Sequence, residues 1–204
     1  KEKIIWWGPW ITDFNLANRI KLYFMKKHPS ILYSEKHKID FINRNINPKK
    51  LYWLEEPISI NSLENLKTLK QSVKFKIAGY ELEQTFEGWK NLILSKTVDI
   101  AQPDTIWSGG VTECLKICNF CNKNNVSYVP HNFASIISLA SNAFIAAKSK
   151  TKLIEIDSNE NPFLWDINKN KTFIIKNGKI DIPDNIYGFG VEINEKKIER
   201  FRVI

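Results

Sequence analysis

The 204-residue chain has only 3 cysteines, 1 methionine and 4 arginines, and each scarcity excludes something. The cysteines, at 114, 118 and 121, are an odd number on one short stretch. That excludes a disulfide framework and points to a reducing, cytoplasmic compartment. No run approaches the roughly 18 apolar residues of a membrane span. The opening KEKIIWWGPW lacks the charged, then apolar, then small order of a signal peptide. It also lacks an initiator methionine, so a fragment of a longer protein is expected. Of the 30 basic residues 26 are lysine, set singly or in pairs such as Lys26–Lys27 and Lys49–Lys50. Without arginine clusters or basic stretches interleaved with aromatics, the +8 charge reads as compositional bias. Neither nucleic acid nor a membrane is therefore expected as a partner.

What is present suffices for a sizeable core, at 43% hydrophobic and 12% aromatic residues. Short β-rich runs at 3–7, 30–34, 50–55, 74–78, 98–102, 126–130 and 151–156 alternate with helical patterns at 12–27, 36–46, 61–71, 85–95, 110–123 and 134–148. Asn61, with Glu64 three residues on, predicts a capped start to the third helix. Alternation of this kind implies parallel strands joined by right-handed crossovers, either as an open sheet or as a (β/α) barrel.

The polar residues choose between these architectures. LYWLEEP ends a buried-type run on two carboxylates, and strand alternation sends Glu55 and Glu56 to opposite faces. Glu55, Glu81, Asp104 and His131 then follow one another at spacings of 26, 23 and 27 residues, each about one βα unit, and Glu155 follows on the next run. In a barrel every strand's carboxyl end faces one central site. The reading is an α/β, TIM-type barrel of about seven strands, its first βα unit missing. Barrel strands two to eight fall in residues 1–157, and a tail with a hairpin at Asn177-Gly178 falls in 158–204, packing back on the barrel or on an absent capping domain.

WLEEP, IAGYE, VDIAQPDTIWSGGVTE, VPH, LIEIDSNENP and NGKIDIPDNIYGFGVEI, in that order and spacing, resemble the enolase superfamily in its mandelate racemase and muconate lactonizing branch. The resemblance covers almost the whole chain but not that family's N-terminal capping domain. It implies magnesium ligation by Glu55 and Glu81, with Glu56 as an outward partner. It implies a base, His131, oriented by Asp104, with Glu155 hydrogen-bonding a substrate carboxylate oxygen and Lys3 across the site. The implied chemistry is removal of the proton α to a carboxylate of a hydroxy or sugar acid through an enediolate, as enolase-superfamily sites do with a Lys or His base and magnesium. The stretches QPDTIWSGGVTE and VPH resemble the sugar-acid dehydratase members, so dehydration is expected ahead of racemisation or epimerisation. A homo-oligomer is implied as well.

The resemblance is broken at the third metal position, where SILYSEKHK offers Ser34 or Glu35 in place of an aspartate, and at Tyr80 and Tyr187, which stand where the family has glycine and proline. The alternative is accordingly a catalytically inactive scaffold. CLKICNFC also has the spacing of an iron–sulfur motif, but its offsets trace one helix face and suit three buried cysteines. Gly109-Gly110 reads as a turn into a helix rather than a phosphate cradle, and His28 and His37 as surface residues.

Overall fold

The computed structural model describes residues 30–32, 51–157, 161–176, 178–182 and 186–203. Lys3, His28, Ser34, Glu35 and His37, the strand expected at 3–7 and the helices expected at 12–27 and 36–46 lie outside the described residues. The chain divides into two compact units, Lys1–Tyr80 with Ser95–Ile100, and Glu81–Leu94 with Ala101–Ile204.

In the first unit, β1 (Ser30–Leu32), β2 (Leu51–Glu55) and β3 (Lys76–Gly79) lie side by side and parallel. Parallel neighbours cannot be joined by a hairpin, so α1 (Leu63–Ser72) supplies the crossover between β2 and β3 and buries Leu66. Consecutive residues Trp53, Leu54 and Glu55 are all buried, as are Ile77 and Ala78. Burial of neighbouring positions is the mark of a parallel strand covered on both faces. Asp99 leads into β4 (Ile100–Ala101), accepting the Ile77 N–H at 2.8 Å and pairing with Lys70 at 2.6 Å.

The second unit begins with α2 (Phe86–Leu94) and continues through α3 (Gly110–Asn124), β5 (Ser127–Tyr128) and α4 (Ile136–Lys148). Gly109 and Gly110 have φ of +85° and +79°, so the pair does turn the chain into α3. Val129 N–H donates to the Ala101 carbonyl at 3.0 Å, which links the β4 and β5 ends. Helix α4 starts on an extended Ser135 whose hydroxyl accepts the Ser138 N–H. Its Ile136, Leu139, Ala140 and Ala143 form a core with Leu164, Ile167 and Phe173. That core gathers α5 (Pro162–Trp165), the β6–β7 hairpin (Ile175–Lys176 and Lys179–Ile180) and α6 (Glu195–Glu199), through Ile180, Val191, Ile193 and Ile198. No helix among the described residues is long and apolar enough to cross a membrane.

Two local expectations are corrected. No strand forms over 151–156: Lys152 takes φ +51°, and the Glu155 N–H donates to the Pro130 carbonyl at 3.3 Å. Ile154 and Ile156 satisfy their hydrophobicity against the α4 core instead of in a ladder. Asn61 does not cap α1 either. Ser62 is the cap residue, without a side-chain cap bond, while the Asn61 N–H turns back to Ser59 Oγ and Glu64 pairs with Lys67.

Cys114, Cys118 and Cys121 lie fully buried on one face of α3. Burial pushes the Cys114 thiol up to about 12 and Cys118 to about 11, and raises Cys121 further. Because the thiolate is the reactive form, none of the three is expected to react with a disulfide-exchange reagent at pH 8 until the chain unfolds. Titration of even one thiol within mixing time in native buffer would contradict this packing.

Candidate active site

The strand ends carry the polar residues. At the end of β2, Glu55 is buried and accepts the Trp53 indole N–H at 2.8 Å, the two being on one face of the strand. Glu56 is exposed, and its carboxylate takes the Tyr80 N–H at 2.6 Å. Tyr80 holds φ +73°, in the left-handed region, and its hydroxyl donates to the Ile58 carbonyl. The turn after β3 therefore demands what glycine adopts freely, and Tyr80 meets it with a buried ring anchored at both ends.

In the second unit three side chains from successive loops meet. His131 Nδ1 lies 3.0 Å from Asp104 Oδ2, and its Nε2 lies 3.0 Å from Glu81 Oε2. A neutral imidazole would turn a lone pair toward one of these carboxylates, so the ring is held as the imidazolium with both nitrogens donating. Burial pushes the imidazole pKa down, but hydrogen bonds to Asp104 and Glu81, with the charges of Glu155 and Glu81, outweigh it and raise His131 to about 10. Asp104 is almost fully buried. Burial pushes its carboxyl up, and hydrogen bonds from His131, the Ile106 N–H and Asn142 more than offset this, leaving it below the ordinary aspartate value. Phe133 stacks beside His131 at 6.4 Å.

These shifts define a pH window for the metal-free protein. The raised His131 contributes stability fully below pH 6.5, and that contribution is lost as pH climbs toward 10. The depressed Asp104 contributes above 3.8, and its share is lost as pH falls through its folded value. The stability difference between the wild type and His131→Asn in EDTA should thus be largest between about pH 4 and 6.5 and shrink toward pH 10. A difference that stays flat from pH 6 to 10 in urea melts would refute the pairing.

Of the residues singled out in the sequence, the structure brings together Glu81, Asp104 and His131, with Glu155 close enough for its charge to act on the imidazole. Glu55 belongs to the first unit. Sequence reasoning passed over Asn142, Ser138 and Thr105, which are buried around Asp104. The available signal was a polar amide inside the small and apolar run SLASNAFIAA, where a buried amide needs partners.

Glu55 and Glu81 offer the hard carboxylate oxygens that magnesium takes. Among the described residues no three His, Cys, Asp or Glu side chains stand together so as to hold an ion, and Glu81 is engaged by His131. The donor chemistry fits magnesium at these two positions, and the third expected position, Ser34 or Glu35, lies outside the described residues.

Residues 32–197 match the family model described as Enolase C-terminal domain-like. The chain belongs to the enolase C-terminal domain-like family. Arabinonate dehydratase of Saccharolobus solfataricus is 30% identical over 161 residues, covering 79% of this chain and 43% of that protein. D-galactonate dehydratase of Xanthomonas euvesicatoria pv. vesicatoria is 29% identical over 165 residues, covering 77% and 42%. Among solved structures, the 3,6-anhydro-D-galactonate cycloisomerase from Zobellia galactanivorans superposes with a TM-score of 0.76 at 26% identity, covering 91% of this chain and 55% of that one. The parallel βα units thus belong to an enolase-type (β/α) barrel, incomplete among the described residues. The chain spans about 43% of the length of its arabinonate dehydratase relative.

Proposed function

We propose that this enolase-family chain carries the acid–base half of a site that removes the proton α to the carboxylate of a hydroxy or sugar acid, with dehydration as the outcome. One observation carries the reading: an imidazole held between a buried aspartate and a second carboxylate, 3.0 Å from each. Support for the substrate class comes from the names of its relatives, which include arabinonate and D-galactonate dehydratases.

His131 would work in both directions. As the imidazolium it is an acid that can hand a proton to a departing β-hydroxyl. To act as the base the ring must first give up its Nε2 proton, to Glu81 or to solvent. The neutral imidazole then has a lone pair on Nε2 that can take the α-proton, while Asp104 keeps Nδ1–H in place and stabilises the cation that forms again. Glu155 is assigned to a substrate carboxylate oxygen, and Lys3 to the opposite side of the substrate. The resemblance makes Glu55 and Glu81 the candidate magnesium ligands. When bound, the ion supplies positive charge that offsets the charge built up on the substrate carboxylate. A carboxylate is what Ser34 lacks, so magnesium binding by this chain is expected to be weak and to tighten in Ser34→Asp. Isothermal titration measures both, and tight binding by the wild type would show that Glu35 or another group completes the set.

The reading is tested by incubating the chain with D-galactonate or D-arabinonate and magnesium in D₂O. Deuterium incorporation at Cα, or appearance of a 2-keto-3-deoxy acid, is expected. Failure of a panel of hydroxy and sugar acids to exchange at all, with magnesium bound, would overturn it in favour of a catalytically inactive scaffold.

A further inference from the structure

We propose that Asn142 is the positioning residue that fixes the Asp104–His131 pair in its working orientation; the proposal rests on the acid–base reading above. Asn142 stands in the second turn of α4, fully buried. Its Nδ2 lies 3.0 Å from Asp104 Oδ1 and 3.0 Å from the His131 carbonyl oxygen, and its Oδ1 accepts the Thr105 N–H at 3.1 Å. An amide offers two N–H bonds and a carbonyl oxygen. Here one N–H reaches the segment carrying His131, and the other N–H with the carbonyl grips the segment carrying Asp104. One helix side chain therefore ties together the two loops that supply the pair.

The consequence is directional. Asp104 Oδ1 also receives the Ile106 N–H at 3.0 Å and the Ser138 hydroxyl at 3.5 Å. With its donors concentrated on Oδ1, the carboxylate presents Oδ2 to His131 Nδ1. A half-turn of the carboxylate would break these bonds together, so the imidazole meets one oxygen in one orientation and keeps its proton on Nδ1. Partners behind a functional imidazole fix both tautomer and ring orientation in this way. The chemistry also selects asparagine. Aspartate at 142 would set a second carboxylate against Asp104, and leucine, of similar size, would remove all three bonds to the two loops.

The test uses the chain as it is, labelled with ¹⁵N-histidine and treated with EDTA. Wild type is expected to show a low-field proton on His131 Nδ1, the signature of its bond to Asp104. In Asn142→Leu and Asn142→Ser that resonance should move upfield or broaden away. With magnesium restored, α-proton exchange should fall about 10- to 100-fold in kcat with KM little changed. A folded Asn142→Leu variant that keeps the resonance and the exchange rate would overturn the proposal. If both variants fail to fold, the wild type decides. Its Asn142 side-chain amide protons should exchange slowly with D₂O and show a through-bond coupling to the His131 carbonyl carbon, and fast exchange without coupling would overturn the proposal. Should wild type turn over no acid at all, the acid–base reading fails by itself, and the Nδ1 signal still tests the role of Asn142.

Discussion

Replacing His131 with asparagine is expected to lower α-proton exchange in D₂O by about 10²–10⁴, the span that general acid–base groups contribute. Asparagine keeps a donor of similar reach on the Asp104 side but has no group that can accept and return a proton near neutral pH. The substitution also removes the positive charge between Asp104 and Glu81, now 3.0 Å from each through the ring nitrogens. Some loss of stability below pH 6.5 should accompany the loss of rate, and magnesium affinity tells the two apart. A variant that binds magnesium as the wild type does, yet exchanges no deuterium, places the defect in proton transfer. Exchange at an undiminished rate would mean that another group takes the proton, and the assignment of His131 as base would fall. Asp104→Asn should show a related defect, because an amide can turn either an acceptor or a donor toward Nδ1 and no longer specifies the tautomer.

Trp89→Ala is expected to cost about 3–5 kcal/mol of stability, the usual range for deleting a buried tryptophan. Trp89 is fully buried in α2, and its indole N–H is shared between the Glu83 carbonyl at 2.9 Å and Ser108 Oγ at 3.1 Å. Ser108 in turn donates to the same Glu83 carbonyl at 2.8 Å. The indole thus packs α2 and also latches the loop that follows Asp104 to the segment just after Glu81. Alanine would leave a cavity and take away a donor shared by the Glu83 carbonyl and the buried Ser108 hydroxyl. Trp89→Phe, which keeps most of the volume, should cost less, about 1–2 kcal/mol for the lost hydrogen bonding plus a small packing term. Thermal or urea melts of both variants check this ordering. Equal losses would show that hydrogen bonding outweighs volume at this site, and a negligible loss for alanine would contradict the packing described here.

Much of this architecture was legible in the sequence because it depends on local and periodic properties. The strands ending at Glu55, at Gly79 and near Asp104 and His131 were marked by short apolar runs closed by Pro, Gly or acidic residues, and the helices between them by one-sided apolar faces. The spacing of about one βα unit between polar residues carries the further inference that they share one end of a parallel sheet, since each crossover returns the chain to the same edge. Glu81, Asp104 and His131 did come together on that basis. The buried cysteine face of α3 was equally readable, as offsets of 0, 4 and 7 place three side chains on one helical stripe.

Other features are set by contacts between segments remote in sequence, which no window contains. The apolar alternation of 151–156 reads as a strand, yet Lys152 breaks the extended path and the isoleucines find the α4 core. Tyr80 at a glycine position reads as a defect until its left-handed backbone and its bonds to Glu56 and Ile58 are seen. Above all, the charge of His131 could not be read from its sequence position. Residue types and spacing determine that an imidazole and several carboxylates reach the same end of the sheet. Only the tertiary structure decides which oxygen faces which nitrogen, because that depends on burial and on Asn142, 38 residues from Asp104 in sequence, occupying Oδ1 and leaving Oδ2 for the ring.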